Sequence, residues 1–487
     1  MKGAAATMAA LLSATATAQF VLMDMAKRQQ SNNLRRRANS VQSDISNLLQ
    51  DGGYFVDVTV GTPGQKFSLQ LDTGSSDVWV PDSGSSACQV KGSGPKRPGD
   101  SNGCSKGSFT SSQSSTFQQG QEGTFKIKYV DESSASGQYM RDNFQLGGVT
   151  VKNLTMGLAE ETDIPFGLVG IGYRTNEASI QTVQATYPNL PIAMQSSGSI
   201  KTVAYSLWLN DLEANTGSVL FGAIDTEKYQ GDLALLDLIP DPDVNQVIEF
   251  NVPLTSVAGY SSTGSDAFGS TSYPITALLD SGTTLSYLPV DLANQLWQEV
   301  GAAYVGQIGV AIVPCALANT NSYFSFGFGG PHGPLINVTI SELVLDTVSD
   351  LPFPSGKFRG KASCTFGIQA QAPNDDGSAP SYLLGDTFLR SAYVVYDLVN
   401  NQVALAQTKA NATASNIVPF PSSGATVPSS TLVPGQNSSS NSGPSSTPAY
   451  KAAGGFQSDA APLMGLSALG LVAASMATFL AIFASAV

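Results

Sequence analysis

The chain is poor in histidine, cysteine and charge. A single histidine, His332, stands among 487 residues, which rules out a helical HExxH zinc site because that needs two. Four cysteines are too few for a small disulfide-built scaffold and enough for two staples. Charged residues make up 13%, about half the usual share. They are mostly acidic, 37 Asp and Glu against 24 Lys and Arg, for a formal charge of −13. Such a surface repels a polyanion, so nucleic acid is excluded as a partner. What the chain has in quantity is 48 Gly and 26 Pro, which calls for many turns and few long helices. Its 42% hydrophobic content supports one or two ordinary cores.

Both ends read as targeting segments. Lys2, an apolar run over residues 4–14 and Ala16-Thr17-Ala18 form a secretory signal peptide over residues 1–18. That run is too short to span a membrane, and secretion makes disulfides permissible. A basic stretch follows, with Lys27-Arg28 and Arg35-Arg36-Arg37, which predicts a pro-segment over 19–37 cut at a basic site. Cutting after Arg37 leaves 18 basic and 36 acidic residues. A protein so charged suits an acidic medium, where protonation relieves self-repulsion. Residues 411–450 are Ser, Thr, Pro, Asn and Gly with few large apolar groups. That composition predicts a disordered, O-glycosylated stalk, set at 409–461. Small residues Ala452, Ala453 and Gly454, a polar spacer and an uncharged apolar tail over 462–487 match a GPI-attachment signal. A single-pass helix usually carries Lys or Arg beyond the span, and none follows this tail. The expectation is a lipid-anchored ectodomain at the outer face of the plasma membrane or in the cell wall.

Between Tyr54 and Lys409 the pattern is of strands. Phe67-Ser68-Leu69-Gln70-Leu71 alternates apolar and polar, as a half-buried strand does, and so does Thr124–Tyr129. One helical window, Val290–Val300, puts Leu292, Leu296 and Trp297 on one face. An internal repeat is more telling. FSLQLDTGSSDVWVP (67–81) and ITALLDSGTTLSYLP (275–289) share an order: apolar run, Asp, hydroxyl, Gly, hydroxyl, second apolar run. Downstream, FGLVGIGY (166–173) and YLLGDTFL (382–389) each place paired apolar residues before a Gly, 98 and 105 positions after the Asp. Two homologous β lobes are expected, 38–206 and 207–408, each contributing one Asp turn.

An Asp ending an apolar strand lies near a core, where desolvation raises its pKa. Gly74 and Gly282 permit a tight turn that aims amides at the carboxylates. Thr73, Ser75, Ser281 and Thr283 can fix carboxylate orientation. If a two-fold axis brings Asp72 and Asp280 together, both cannot stay ionised. At roughly 3 Å and an effective dielectric of about 20, the repulsion is near 5 kcal/mol, on the order of four pK units. The pair then shares one proton and titrates as a unit. One acid, one base and a water between them is what direct attack on a peptide carbonyl requires.

With these motifs the chain resembles the pepsin-like aspartic endopeptidases over residues 54–408. The resemblance rests on Gly61-Thr62-Pro63, DTGSSDVWV (72–80), LVGIG (168–172), DSGTT (280–284) and LLGDTFLRSAYVVYD (383–397). It implies an all-β, bilobal, pseudo-symmetric fold with the active-site cleft between the lobes. It implies Asp72 and Asp280 as the catalytic pair, Thr73 and Ser281 as crossed hydroxyls, and Ser75 and Thr283 as orienting groups. It also implies a hairpin flap carrying Tyr129, with Trp79 bonded to that tyrosine. Relatives commonly have glycines after the flap tyrosine, where Val130 and Glu132 stand here. Cys88 with Cys104 resembles the family's N-lobe loop, enlarged to 15 enclosed residues, and Cys315 with Cys364 the C-lobe bridge. Closing the first loop would add on the order of 3 kcal/mol. Lys96-Arg97 inside it is either a nick site or a solvated tip. No metal or organic cofactor is implied, and the partners implied are peptide or protein substrates met by a monomer.

Signal, basic pro-segment, stalk and GPI tail together are similar to the fungal yapsin-type group, which often cleaves beside basic residues. Asp131 and Glu132 on the flap tip could attract Lys or Arg side chains. Asn153, Asn337, Asn411 and Asn437 head glycosylation sequons. Gly103-Cys104-Ser105-Lys106-Gly107 spells G-x-S-x-G, the serine-hydrolase elbow. It follows no apolar strand, and the loop residue His332 is its only candidate base. The competing functional reading is a catalytically silent pepsin fold serving as a binding or wall protein. Silent relatives usually lose an Asp or a hydroxyl partner, and both turns here are intact.

Overall fold

The computed structural model describes residues 20–27, 53–89 and 103–436, apart from 215, 263, 355 and 375–379. The signal peptide, Arg35–Arg37, Lys96-Arg97, Asn437, Ala452, Ala453, Gly454 and the apolar tail lie outside the described residues. Strands dominate, with short helices between them. The fold is all-β, as the repeat and the turn-rich composition lead one to expect.

A fifteen-stranded sheet runs through the molecule, and an eight-stranded and a four-stranded sheet complete the C-terminal part. The strand Gln65–Asp72 enters the first Asp turn. It is buried on both faces rather than one, Ser68 and Gln70 included. The loop at Lys106 covers it, with the Ser68 amide on the Lys106 carbonyl at 2.8 Å. Phe125–Lys128 does alternate: Phe125 is buried and Lys126 and Lys128 are exposed. The helix Val290–Val300 forms where its apolar period places it, with Leu292, Leu296 and Trp297 buried. It stops at Gly301, which takes a left-handed φ of 65°, a conformation cheap only for glycine.

The repeated motifs build one arrangement twice. In the first, Gln65–Asp72 runs parallel to Leu168–Gly170, which is antiparallel to Val78–Pro81. In the second, Ile275–Leu279 runs parallel to Tyr382–Leu384, which is antiparallel to Ser286–Pro289. The chain leaving each Asp turn is thus clasped beside the strand that enters it. This explains the glycine in each downstream echo. A Cβ on Gly170 would lie 2.6 Å from the Asp77 amide, and one on Gly385 would lie 2.3 Å from the Thr283 and Leu285 carbonyls.

Three of the expected boundaries fall at or inside folded elements. The strand Val21–Lys27, assigned to a removable pro-segment, sits inside the large sheet. It pairs with Thr216–Phe221 on one side and Tyr54–Val60 on the other. A cut after Arg37 would leave it held by these ladders and by Val21 in the core. The expected lobe boundary at 206/207 falls inside the strand Ala204–Trp208, whose two partners, Thr216–Phe221 and Ala392–Asp397, both lie C-terminal to it. Residues 409–436, expected to be stalk, are folded. Ile417–Pro419 pairs with Ala223–Asp225, and Ser430–Leu432 joins the large sheet beside Tyr229–Asp237. Phe420, Val427 and Val433 are buried. Phe420 and Val427 join a cluster with Trp208, Ile224 and Tyr393, and Val433 joins the main core.

Both disulfides are formed, Cys88–Cys104 and Cys315–Cys364. The first ties down the G-x-S-x-G segment, since Cys104, next to its central Ser105, is bonded to Cys88. His332 is exposed in a turn.

Candidate active site

The two Asp turns meet. Asp72 and Asp280 are 3% and 7% exposed and lie against each other's loops. A Cβ on Gly74 would sit 2.6 Å from Asp280 Oδ1, and one on Gly282 would sit 2.4 Å from Asp72 Oδ1. Only glycine at these positions lets the carboxylates approach. Each turn amide reaches back to its own Asp: Gly74 N–H to Asp72 Oδ1 and Gly282 N–H to Asp280 Oδ1, both at 2.8 Å. The outer oxygens take hydroxyls, from Ser75 to Asp72 Oδ2 and from Thr283 to Asp280 Oδ2, the latter at 2.5 Å. Burial first, and the Asp280 charge second, push the Asp72 carboxyl well above the ordinary carboxylate range.

The turns are locked by a reciprocal exchange. Thr73 Oγ1 donates to the Leu279 carbonyl and accepts from the Ser281 amide, each at 2.9 Å. Ser281 Oγ donates to the Leu71 carbonyl at 3.0 Å and accepts from the Thr73 amide at 3.2 Å. Gln70 Nε2 adds a bond to the Gly282 carbonyl at 3.0 Å, a tie that pattern reading missed because Gln70 looked like the wet face of a strand.

Over this pair stands a hairpin. Phe125–Lys128 pairs with the start of Ser134–Leu146, and residues 129–133 form its tip. Trp79 Nε1 donates to Tyr129 Oη at 2.8 Å. Burial and the Asp72 charge raise the Tyr129 hydroxyl, so it is neutral and able to donate. Glu132 holds a positive φ of 72°, and its carboxylate pairs with Lys128. Asp131 is exposed, steadied only by Ser133 N–H at 3.0 Å and Ser133 Oγ at 2.6 Å. Burial and then the charge of Asp131 push the Tyr287 hydroxyl up to about 12. Of the two flap acids, Asp131 alone has no ion-pair partner among the described residues.

Comparison with known proteins decides the family. Residues 53–408 match the family described as "Eukaryotic aspartyl protease". The chain belongs to it. A protein named "Probable aspartic-type endopeptidase opsB" from Aspergillus oryzae is 40% identical over 402 residues, covering 82% of this chain and 77% of that protein. Its namesake in Aspergillus fumigatus is 41% identical over 403 residues, with the same two shares. "Aspartic proteinase yapsin-3" from Saccharomyces cerevisiae is 31% identical over 432 residues, covering 86% of this chain and 78% of that protein. This aspartyl protease is an aspartic-type endopeptidase, and its partners are peptide substrates.

One cluster beside the turn was not foreseen. Asp77, fully buried, accepts from Tyr139 Oη and Tyr187 Oη at 2.7 Å and from the Ala178 amide at 2.8 Å. Glu177, 2% exposed, accepts the Tyr187 amide at 2.8 Å, and burial pushes its carboxyl up to about 8. Only the DTGSSD string hinted at Asp77, and nothing local marked Glu177. Of the described sequon residues, Asn153, Asn337 and Asn411 are all exposed. The Asn411 amide is bonded to Asp211.

Proposed function

We propose that Asp72 and Asp280 are the catalytic pair of this endopeptidase. The observation that carries the reading is the mutual approach of the two carboxylates across Gly74 and Gly282. Two buried acids this close share a proton. The ionised one takes a proton from a water held between them, and the protonated one donates to the scissile carbonyl. A tetrahedral gem-diol forms with no covalent enzyme intermediate, and the leaving nitrogen is then protonated. Ser75 and Thr283 aim the carboxylates, and Tyr129, braced by Trp79, covers the extended substrate. Activity has an acidic optimum, and Asp131 draws a basic side chain toward the cut.

The protein is secreted as a monomeric glycoprotein zymogen, matured at a basic site and GPI-anchored at the cell surface through Ala452, Ala453 or Gly454. The order of signal, basic stretch, Ser/Thr-rich segment and apolar tail supports this, as does the likeness to yapsin-3. Peptide cleavage at pH 3–6 tests the chemistry: Asp72→Asn and Asp280→Asn should each abolish it, and a pepstatin-type transition-state mimic should block the wild type. A wild type that cuts no peptide under these conditions is a silent binding protein. Release by a phosphatidylinositol-specific phospholipase tests the anchor.

A further inference from the structure

The internal repeat singles out a residue whose counterpart differs in kind. The fifth position after each turn Asp is Asp77 in the first half and Leu285 in the second. The two occupy equivalent places. A Cβ on Gly170 would lie 2.7 Å from the Asp77 carbonyl, and one on Gly385 would lie 2.3 Å from the Leu285 carbonyl. Both side chains are buried. The second turn is thus built with an apolar residue here, so such a turn needs no carboxylate at this position. Burying an acid is costly where burying leucine is favourable. The reason for Asp77 therefore lies in the groups it holds.

Those groups are three donors. Asp77 Oδ1 accepts from Tyr139 Oη and from Tyr187 Oη, each at 2.7 Å, and Oδ2 accepts from the Ala178 amide at 2.8 Å. Burial and then the Asp77 charge raise both phenols, so each stays protonated and able to donate. Tyr139 belongs to Ser134–Leu146, the returning strand of the flap hairpin. Gly137, two residues before it, pairs with Phe125, and the Tyr139 amide donates to Thr124 Oγ1 at 3.2 Å. Tyr139 therefore stands at the base of the hairpin, where its outgoing strand begins. Its ring meets Phe125 edge-on at 5.4 Å, and Phe125 meets Trp79 at 6.3 Å. Asp77 and Trp79, two positions apart, grip the hairpin at both ends. Trp79 bonds Tyr129 at the tip and Asp77 bonds Tyr139 at the base.

We propose that Asp77 is a positioning residue of the peptidase: by bonding Tyr139 it fixes the base of the flap to the first Asp turn, and so sets where Tyr129 stands over the Asp pair. Tyr187 and the Ala178 amide hold the carboxylate itself in place. The proposal rests on the reading of Tyr129 as the residue that covers the substrate.

Two single-hydroxyl variants separate positioning from plain structural support. Tyr139→Phe and Tyr187→Phe each remove one phenol bond of the same length from the same oxygen, and each keeps its ring. Their thermal midpoints should fall by similar amounts. Tyr139→Phe alone should loosen the flap. Amides of residues 125–128 should exchange with solvent about tenfold faster, the scale of one hydrogen bond to a charged group. Peptide kcat/KM should fall on the same scale, mainly through KM, with both limbs of the pH profile unmoved. Tyr187→Phe should change neither. Asp77→Leu, which copies the second turn, should loosen the flap at least as far as Tyr139→Phe; if it does not fold, the tyrosine pair decides. Unchanged flap exchange in Tyr139→Phe overturns the proposal. So do equal changes in the two tyrosine variants, or losses of kcat/KM that simply track their thermal midpoints. Tyr129→Ala tests the underlying reading by itself. If it leaves kcat/KM unchanged, that reading of Tyr129 fails, while the exchange rates still decide whether Asp77 holds the flap.

Discussion

Thr73 and Ser281 each hold the other's turn: the hydroxyl of one bonds to the backbone amide of the other, at 2.9 and 3.2 Å. Through this exchange residues from the two halves of the chain act as one site. Thr73→Ala removes the acceptor of the buried Ser281 amide and the donor to the Leu279 carbonyl. The expected loss is about 1–3 kcal/mol of stability, read as a lower thermal midpoint. Thr73→Ser, which keeps the hydroxyl, should recover most of it. Peptidase activity should fall more than stability, because the carboxylates lose their mutual alignment.

The flap acids separate cleanly. Asp131 is exposed at the flap tip and has no ion-pair partner among the described residues, whereas Glu132 is paired with Lys128. Asp131→Asn should lower kcat/KM several-fold for peptides with Lys or Arg beside the cut and leave neutral peptides nearly unchanged. Glu132→Gln should change neither ratio. Paired peptide substrates that differ only in that residue provide the measurement.

Glu177 predicts how stability depends on pH. Its carboxyl is raised from 4.5 to about 8, by burial first. Facing it are Asp77, whose charge raises it further, and the Tyr187 amide, Arg174 and Ser179, which lower it. Between these two values the folded protein holds a proton that the unfolded chain has released. Stability therefore falls as pH climbs from about 4.5 toward about 8, and Asp77, also raised by burial, adds to the slope. Glu177→Gln should flatten the decline, measured as thermal midpoint against pH. A variant whose midpoint tracks the wild type at every pH would contradict this.

Phe420 tests the folded reading of residues 409–436. It is fully buried, in a cluster with Trp208, Ile224 and Tyr393. Phe420→Ala should cost about 3–5 kcal/mol, and a chain ended after Thr408 should be less stable than one ended after Gln436. Equal denaturant midpoints for the two truncations would return this stretch to the stalk.

The parts legible from the chain were those coded by a few neighbouring residues. Asp72 and Asp280 announce themselves because Asp, hydroxyl and Gly must be contiguous to build the turn, and the helix Val290–Val300 because its period is local. The strand Val21–Lys27 was hidden because its partners begin at Tyr54 and Thr216, so no nearby pattern reports the pairing. Residues 409–436 misled because three anchors, Phe420, Val427 and Val433, are diluted among Ser, Thr and Pro. Composition averages them away, while the fold uses each singly. Gln70 and Ser68 read as a wet face because alternation cannot reveal a loop that later covers it.

The claim on which the rest depends is that Asp72 and Asp280 act as one acid with one shared proton. The direct measurement is the pH dependence of kcat/KM from pH 2 to 8 for the wild type and for Asp280→Asn. The wild type should give a bell whose two limbs belong to the pair, and the variant should lose at least about a thousandfold at every pH, more than a general acid–base contribution of 10²–10⁴ at its lower end. A wild-type profile with one titration, or a variant that keeps a tenth of the activity, would contradict the shared proton.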